Sequence, residues 1–276
     1  MLVFAYDGSL NGDWVAHYAV RFAANTATKA LRLVHVHERE AAPHIDARIA
    51  RVAGECEVLG VELHTELLAR GRAEVSQRLL EAVPRGETWI MGTRARPRNG
   101  AFLQGTVTAR VLAASQRSVI AIRVTHPGVL GQPGSALLAL PGGRSVRPAL
   151  PLFRLLGEDL RRAHVLSVHE VSSLHLRLLS AVALEALLAE GRTFVAGAEA
   201  ELRAHLAPNP LELDGSAVVS DQLSREILLC AARHRSRLIC LGASERTLAR
   251  RLVHVDPIEH VLAAAPSDVA VFRSVE

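Results

Sequence analysis

Three short segments carry residue types suited to holding an anionic ligand: Asp7-Gly8-Ser9, Gly92-Thr93-Arg94-Ala95 and Gln104-Gly105-Thr106-Val107. A glycine such as Gly105 lets backbone approach a ligand closely. Thr106 stands where a helix begins and is a good N-cap, and the free N–H groups of a helix start bind anions. Arg94, Arg96 and Arg98 share one loop and could pair with phosphates, although an arginine run is also an ordinary solvated surface. Asp7-Gly8 is equally a common turn. The chemistry is that of a phosphate-bearing ligand such as a nucleotide. Neither GxxxxGK[ST] nor GxGxxG occurs, which excludes a P-loop and a dinucleotide fingerprint.

Other reactive side chains form no pattern. His35 and His37 alternate onto one face of a strand, but no third ligand has the right spacing, so no metal site is expected. His169, His175 and His254 have no grouped partners. Cys56, Cys230 and Cys240 cannot all pair and none lies in a CxxC, which implies reduced thiols in a cytoplasmic protein; Cys230 and Cys240 read as buried apolar filler. No spacing argues for a Ser-His-Asp or paired-carboxylate centre, so no catalytic residue is assigned.

The elements that position the anionic segments alternate. LVFAY (2–6) is a short apolar run and reads as a buried strand. Trp14, Val15, Tyr18, Ala19, Phe22 and Ala23 then recur at helical spacing. Strands follow at 31–36, 61–68, 88–91 and 118–124. Helices are expected at 44–59, around Val75–Val83, and from Thr106 to Ala114. Such alternation argues for a parallel sheet covered by helices on both faces. In such a sheet, ligands bind beyond the carboxyl ends of the strands, where the strand order reverses. The three segments all follow strands or open a helix there.

The pattern occurs twice. RLVHVHE (32–38) is echoed by HVLSVHE (164–170), WIMGT (89–93) by ICLGA (239–243), and AIRV (121–124) by VFRS (271–274). The spacing widens between the first echo and the others, so the second half carries an insertion within about 171–235, with a longer helix around 177–205 (Leu178, Leu179, Val182, Leu187, Leu188). Second-half strands are expected at 136–140, 164–168, about 211–219, 237–241 and 268–273. The Gly/Pro-rich stretch 127–134 reads as a linker between domains at 1–126 and 135–276. With about 100–200 residues per domain as a prior, 276 residues fit two small domains.

Composition excludes several classes. At 49% apolar and 22% charged, the chain is globular rather than disordered. No run approaches the ~20 apolar residues of a membrane span, and the N-terminus lacks a basic lead before an apolar core. The net charge is +4, only Lys29 among the 32 basic residues is lysine, and aromatics make up 4%, which argues against nucleic acid as partner.

The strand ending YDGS (6–9), the second strand LVHVHE (33–38) and the loop after the fourth strand together resemble the universal stress protein family in its tandem two-domain form. The family signature G-x2-G-x9-G-[ST] is matched in spacing by Gly92, position 95, Gly105 and Thr106, with Ala95 where the family has glycine. The resemblance implies an α/β fold of two doubly wound five-stranded parallel-sheet domains, strand order 3-2-1-4-5, of the adenine-nucleotide alpha-hydrolase-like type, paired as an intramolecular pseudo-dimer. It implies an ATP site, with Mg²⁺ as a potential companion, in the first domain. Val36 would meet adenine through its main chain, Asp7 would lie by ribose and phosphates, and Met91 and Gly92 by the ribose. Ala95, Gly105, Thr106 and Val107 would wrap the phosphates.

The second half reads as disarmed. Aligning LLALPGG (137–143) on VFAYDGS (3–9) puts Pro141 where Asp7 stands. Counting from Gly242 puts Glu245 at the second-glycine position and Val255-Asp256 at the Gly-Ser/Thr position. Asp256, Pro257 and Glu259 form a capping-box-like start that supplies its own carboxylates. A structural role is expected for this half. The leading expectation is a cytoplasmic stress-response or regulatory protein binding one ATP, with slow hydrolysis at most. The alternatives are an ATP-independent protein-interaction scaffold of the same fold and an enzyme acting on an adenylated substrate. A further protein partner and homodimerisation stay open.

Overall fold

The computed structural model describes every residue except 38–42, 72, 83–86, 95–100, 116, 143–144, 208–210, 244–256 and 275–276. The chain divides into two compact units, Met1–Gln132 with Phe272–Glu276, and Pro133–Val271. Both are α/β units on a parallel sheet, as the alternation of apolar runs and helical stripes requires.

In the first unit the strands are β1 (Leu2–Ala5), β2 (Ala30–His37), β3 (Glu62–Ala69), β4 (Thr88–Gly92) and β5 (Val119–Arg123). The helices are α1 (Leu10–Ala24), α2 (Pro43–Val58), α3 (Val75–Ala82) and α4 (Val107–Ala114). The strand order is β3-β2-β1-β4-β5, with parallel pairing throughout. β1, β4 and β5 are buried on both faces, so they read as continuous apolar runs; β3, at the edge, alternates between exposed and half-buried residues. Phe4, Leu31, Leu33, Trp89, Ile90 and Leu112 are fully buried, and each contributes about 1.5–3 kcal/mol on leaving water. α1 docks through Val15, Tyr18, Ala19 and Phe22, and the Tyr18 and Phe22 rings meet edge-on at 5.9 Å. Trp14, expected in that stripe, is only half-buried at its margin.

In the second unit the strands are β6 (Gly134–Pro141), β7 (Leu160–Glu170), β8 (Glu212–Ser220), β9 (Leu238–Gly242) and β10 (Asp268–Arg273). The helices are α5 (Leu150–Leu156), α6 (Ser173–Leu178), α7 (Ala181–Leu206), α8 (Leu223–Arg233) and α9 (Pro257–Ala264). The strands follow the order β8-β7-β6-β9-β10, the topology of the first unit repeated. The stretch expected as a linker holds a short 3-10 turn, Pro127–Val129, and β6 begins at Gly134. Among the described residues no helix is long and apolar enough to cross a membrane.

The insertion is α6 and α7, which stand between β7 and β8 where the first unit has α2 alone. The longer helix expected around 177–205 is α7; it begins after Ser180, whose side chain caps it by accepting from the Ala183 N–H. α7 buries Gly191, Val195, Ala198 and Leu202, a stripe at helical spacing, against β8. The approach is close. A β-carbon on Gly191 would stand 2.7 Å from the Ala217 β-carbon, and one on Gly215 would stand 2.4 Å from Val195 Cγ1 and 2.7 Å from the Val165 carbonyl. The backbone oxygen cannot yield as a side chain does. Gly215→Val is therefore expected to destabilise the protein by about 1–3 kcal/mol through overpacking, read as a lower urea midpoint.

Candidate functional site

β1 lies between β2 and β4, so the strand order reverses beside it, and the described residues of the three anion-holding segments follow the carboxyl ends of β1 and β4 or open α4. Ala5 is in register with Val34 on one side and Met91 on the other, so Asp7 emerges between Val36 and Thr93. The Val34 carbonyl accepts from the Tyr6 N–H at 2.9 Å. Two residues on, the Val36 carbonyl points the same way, past the end of β1. Val36 is half-buried, Met91 buried and Asp7 exposed.

Asp7 closes a turn at the start of α1. Its Oδ1 accepts from the Ser9 N–H at 2.9 Å and the Ser9 hydroxyl at 2.7 Å, and Ser9 Oγ in turn accepts from the Gly12 N–H at 2.9 Å. Gly8 has φ +73°, and a β-carbon there would meet Ile45 Cδ1 at 2.2 Å, so α2 also presses on this turn. Asp13 in the first turn of α1 accepts from the Tyr6 hydroxyl and from Arg48 of α2, tying β1, α1 and α2 together below the site. Burial first, and the Asp13 carboxylate second, push the Tyr6 phenol well above its ordinary pKa, so it serves as a neutral donor. His35 is buried with its Nδ1 2.8 Å from the Tyr6 carbonyl oxygen, which makes it a packing residue.

The opposite wall is the loop from β4 to α4. Its neck is closed by the Arg94 N–H donating to the Phe102 carbonyl at 3.2 Å. The Arg94 guanidinium donates to the Gln104 carbonyl at 3.1 Å and the Gly105 carbonyl at 3.3 Å, so its charge lies beside the start of α4. Gly105 is exposed with φ +70° and nothing within 4 Å of an added β-carbon. Its glycine answers to the backbone dihedral and not to a close approach. Thr106 caps α4: its Oγ1 accepts from the Ala109 N–H at 2.9 Å and donates to the Leu103 carbonyl at 2.6 Å. That leaves the N–H groups of Val107 and Thr108, which have no partner inside a helix, at the positive end of α4. Thr106→Ala is expected to cost about 1 kcal/mol in urea unfolding through loss of this cap. Ala95, Arg96 and Arg98 lie outside the described residues.

Two supports were not legible in the sequence. The Asn11 amide donates to the Thr93 carbonyl at 2.9 Å, and its Oδ1 is buried with no partner among the described residues. The Thr108 hydroxyl donates to the Gly92 carbonyl at 2.7 Å. Together they fix the β4 end, and a β-carbon on Gly92 would crowd Asn11 Nδ2 at 3.1 Å. The only sequence signal for either was a polar residue in the first turn of a helix.

In the second unit, Ala139 is in register with Leu166 and Leu241 as Ala5 is with Val34 and Met91, so Pro141 holds the position of Asp7. Glu245, Val255 and Asp256 lie outside the described residues. Pro257 opens α9 at the first helical position.

The first unit thus offers a helix start and a guanidinium on one wall, a carboxylate on the other, and a strand carbonyl beyond. That set can hold an anion next to a group that donates hydrogen bonds. No protein-family model matches the chain, and no curated protein matches it. Solved structures do. A universal stress protein from Archaeoglobus fulgidus superposes with a TM-score of 0.64 at 16% identity, covering 100% of this chain and 98% of that one. A protein of unknown function from Pseudomonas aeruginosa gives 0.60 at 16% identity, over 99% and 92% of the two chains. The cytoplasmic domain of a prokaryotic cation chloride cotransporter gives 0.57 at 11% identity, over 99% and 95%. At these identities the likeness establishes the fold, which serves proteins with different tasks.

Proposed function

We propose that this chain is a tandem universal stress protein, that its first unit binds an adenine nucleotide, and that its second unit is structural. The reading makes it a regulatory or stress-response protein of the cytoplasm. ATP with Mg²⁺ is the proposed ligand. Val36 would meet adenine through its main chain, Asp7 would lie by the ribose and phosphates, Met91 and Gly92 by the ribose, and Ala95, Gly105, Thr106 and Val107 would wrap the phosphates.

One observation carries the reading: the Thr106-capped start of α4, with the Arg94 guanidinium against it, follows β4, the neighbour of the strand that Asp7 ends, where the strand order reverses. The first N–H groups of α4, a cation beside them and an exposed glycine without a side chain support a phosphate-bearing ligand at that wall. The full-length likeness to a universal stress protein supports the same reading. Pro141 in place of Asp7 supports a structural second unit, since proline offers neither a carboxylate nor an N–H.

A native mass spectrum of freshly purified protein tests the proposal. One adenine nucleotide per chain, removed by dialysis and restored by Mg-ATP, is the expected result. A chain that stays nucleotide-free in millimolar Mg-ATP contradicts it and favours the ATP-independent scaffold.

A further inference from the structure

A second constellation lies in the second unit, at the amino ends of its strands and so away from the edge where a doubly wound sheet ordinarily binds. The donor atoms of His164, Cys230 and His234 all lie within 4.8 Å of one another. Strand pairing and helix geometry bring them together. His164 on β7 is in register with Asp214 on β8, and alternation puts Asp214 and Ser216 on one face. Cys230 and His234 are one turn apart at the carboxyl end of α8, where the His234 N–H donates to the Cys230 carbonyl at 3.0 Å. A cavity of about 510 Å³ opens beside them, lined in part by Arg162, Glu212 and Ser236.

From this geometry we propose that His164, Cys230 and His234 bind a borderline-soft divalent cation of the zinc class. Two imidazoles and a thiolate are the donors such ions select, and three protein ligands leave a fourth position, here turned to the cavity. The surroundings are already those of a metal ligand. Asp214 Oδ1 lies 3.0 Å from His164 Nδ1, so the carboxylate holds the proton there and directs the Nε2 lone pair inward. Asp214 Oδ2 lies 3.9 Å from His234 Nδ1; the two rings stack at 3.7 Å between centroids, so the partly exposed His234 ring must turn out of the stack to aim a lone pair at an ion held by His164. Ser216 Oγ, 2.8 Å from His164 Nε2, also hydrogen-bonds Cys230, so it can turn to the sulfur when the ion takes Nε2. The negative end of the α8 dipole faces the same point and favours a cation. His164 and Cys230 are buried and His234 is partly exposed, which gives a sheltered site with an entry path. Binding forms the thiolate–metal bond and releases the thiol proton of Cys230 to solvent.

Cobalt(II) is the probe, because a thiolate ligand gives it a charge-transfer absorption that nitrogen and oxygen ligands do not. Protein treated with a chelator and desalted is titrated with Co²⁺ in the absence of nucleotide, so the outcome is independent of the nucleotide proposal. One equivalent with a thiolate band, displaced by Zn²⁺, is expected. Cys230→Ser should abolish the band, whereas Cys56→Ser and Cys240→Ser should keep it. Asp214→Asn, which alters an exposed positioning residue, should weaken Co²⁺ binding about 10–100-fold and keep the band. His234→Gln, at a partly exposed position where folding is readily checked by circular dichroism, should weaken it at least as much. Absence of the band in the unmodified protein, or its survival in Cys230→Ser, overturns the proposal.

Discussion

Mg-ATP at about 100 times its dissociation constant is expected to raise the melting temperature of the protein by roughly 5–10 °C. The expectation follows from linkage: a ligand that binds only the folded state stabilises it by about 2.7 kcal/mol at that excess, and a domain of this size gains about 2–4 °C per kcal/mol. Gly105→Glu should erase the shift. Its φ of +70° strains any side chain by about 1 kcal/mol or more, and the new carboxylate would stand at the start of α4 in the place of the phosphates. Gly105→Ala separates the two effects. It carries the strain without the charge, so it should lower the melting temperature of the free protein yet keep most of the ligand shift. Scanning calorimetry with and without Mg-ATP measures all three. An unmodified protein that melts at the same temperature in millimolar Mg-ATP contradicts the nucleotide site in the first unit.

Leu202→Ala is expected to destabilise the protein by about 2–5 kcal/mol, the range for emptying a buried leucine site. Leu202 is fully buried on the inner stripe of α7, and the glycines at 191 and 215 hold that helix too close to β8 for it to shift inward and refill the space. The inserted helix is therefore part of the second unit's core. The exposed apolar residues of the insertion should behave differently: Leu178→Ser on α6 and Val182→Ser on α7, at positions 75% and 81% exposed, should change stability by no more than about 0.5 kcal/mol. Urea unfolding of the three variants makes the comparison. A loss under 1 kcal/mol for Leu202→Ala contradicts the packing described for α7.

Much of the fold was legible because burial on both faces of a parallel sheet leaves unbroken apolar runs. LVFA, TWIM and VIAIR announce β1, β4 and β5 this way, and the widening of the repeat located the inserted helices before their packing was known. The ends of elements were less legible, because they depend on single caps. Ser180 looks like any serine within an apolar helical stretch, yet it divides α6 from α7. β7 begins at Leu160, ahead of the exposed Arg161 and Arg162, where no apolar pattern marks a strand.

The candidate site divides in the same way. Asp7, Gly92, Gly105 and Thr106 could be found because each stands at the end of an element. Arg94 was legible as a cation but not as the residue that binds both limbs of its loop, since that depends on carbonyls ten and eleven residues away. Asn11 and Thr93 meet across a sequence separation of 82 residues, which no local pattern encodes. The histidine–cysteine cluster is the extreme case. Its one local trace is Cys230 and His234 four residues apart on a helix, while His164 and Asp214 come from separate strands whose register alone aligns them.

We propose that the two copies of one fold differ in function, with ligand chemistry kept in the first and proline at the position of Asp7 in the second. A crystal structure with a non-hydrolysable ATP analogue and Mg²⁺ tests it most directly. Adenine density at Val36 and phosphate density against the Thr106 end of α4, with the second unit empty at Pro141, is the expected result. Analogue bound beside Pro141, or a first unit whose loop excludes it at saturating concentration, would contradict the account.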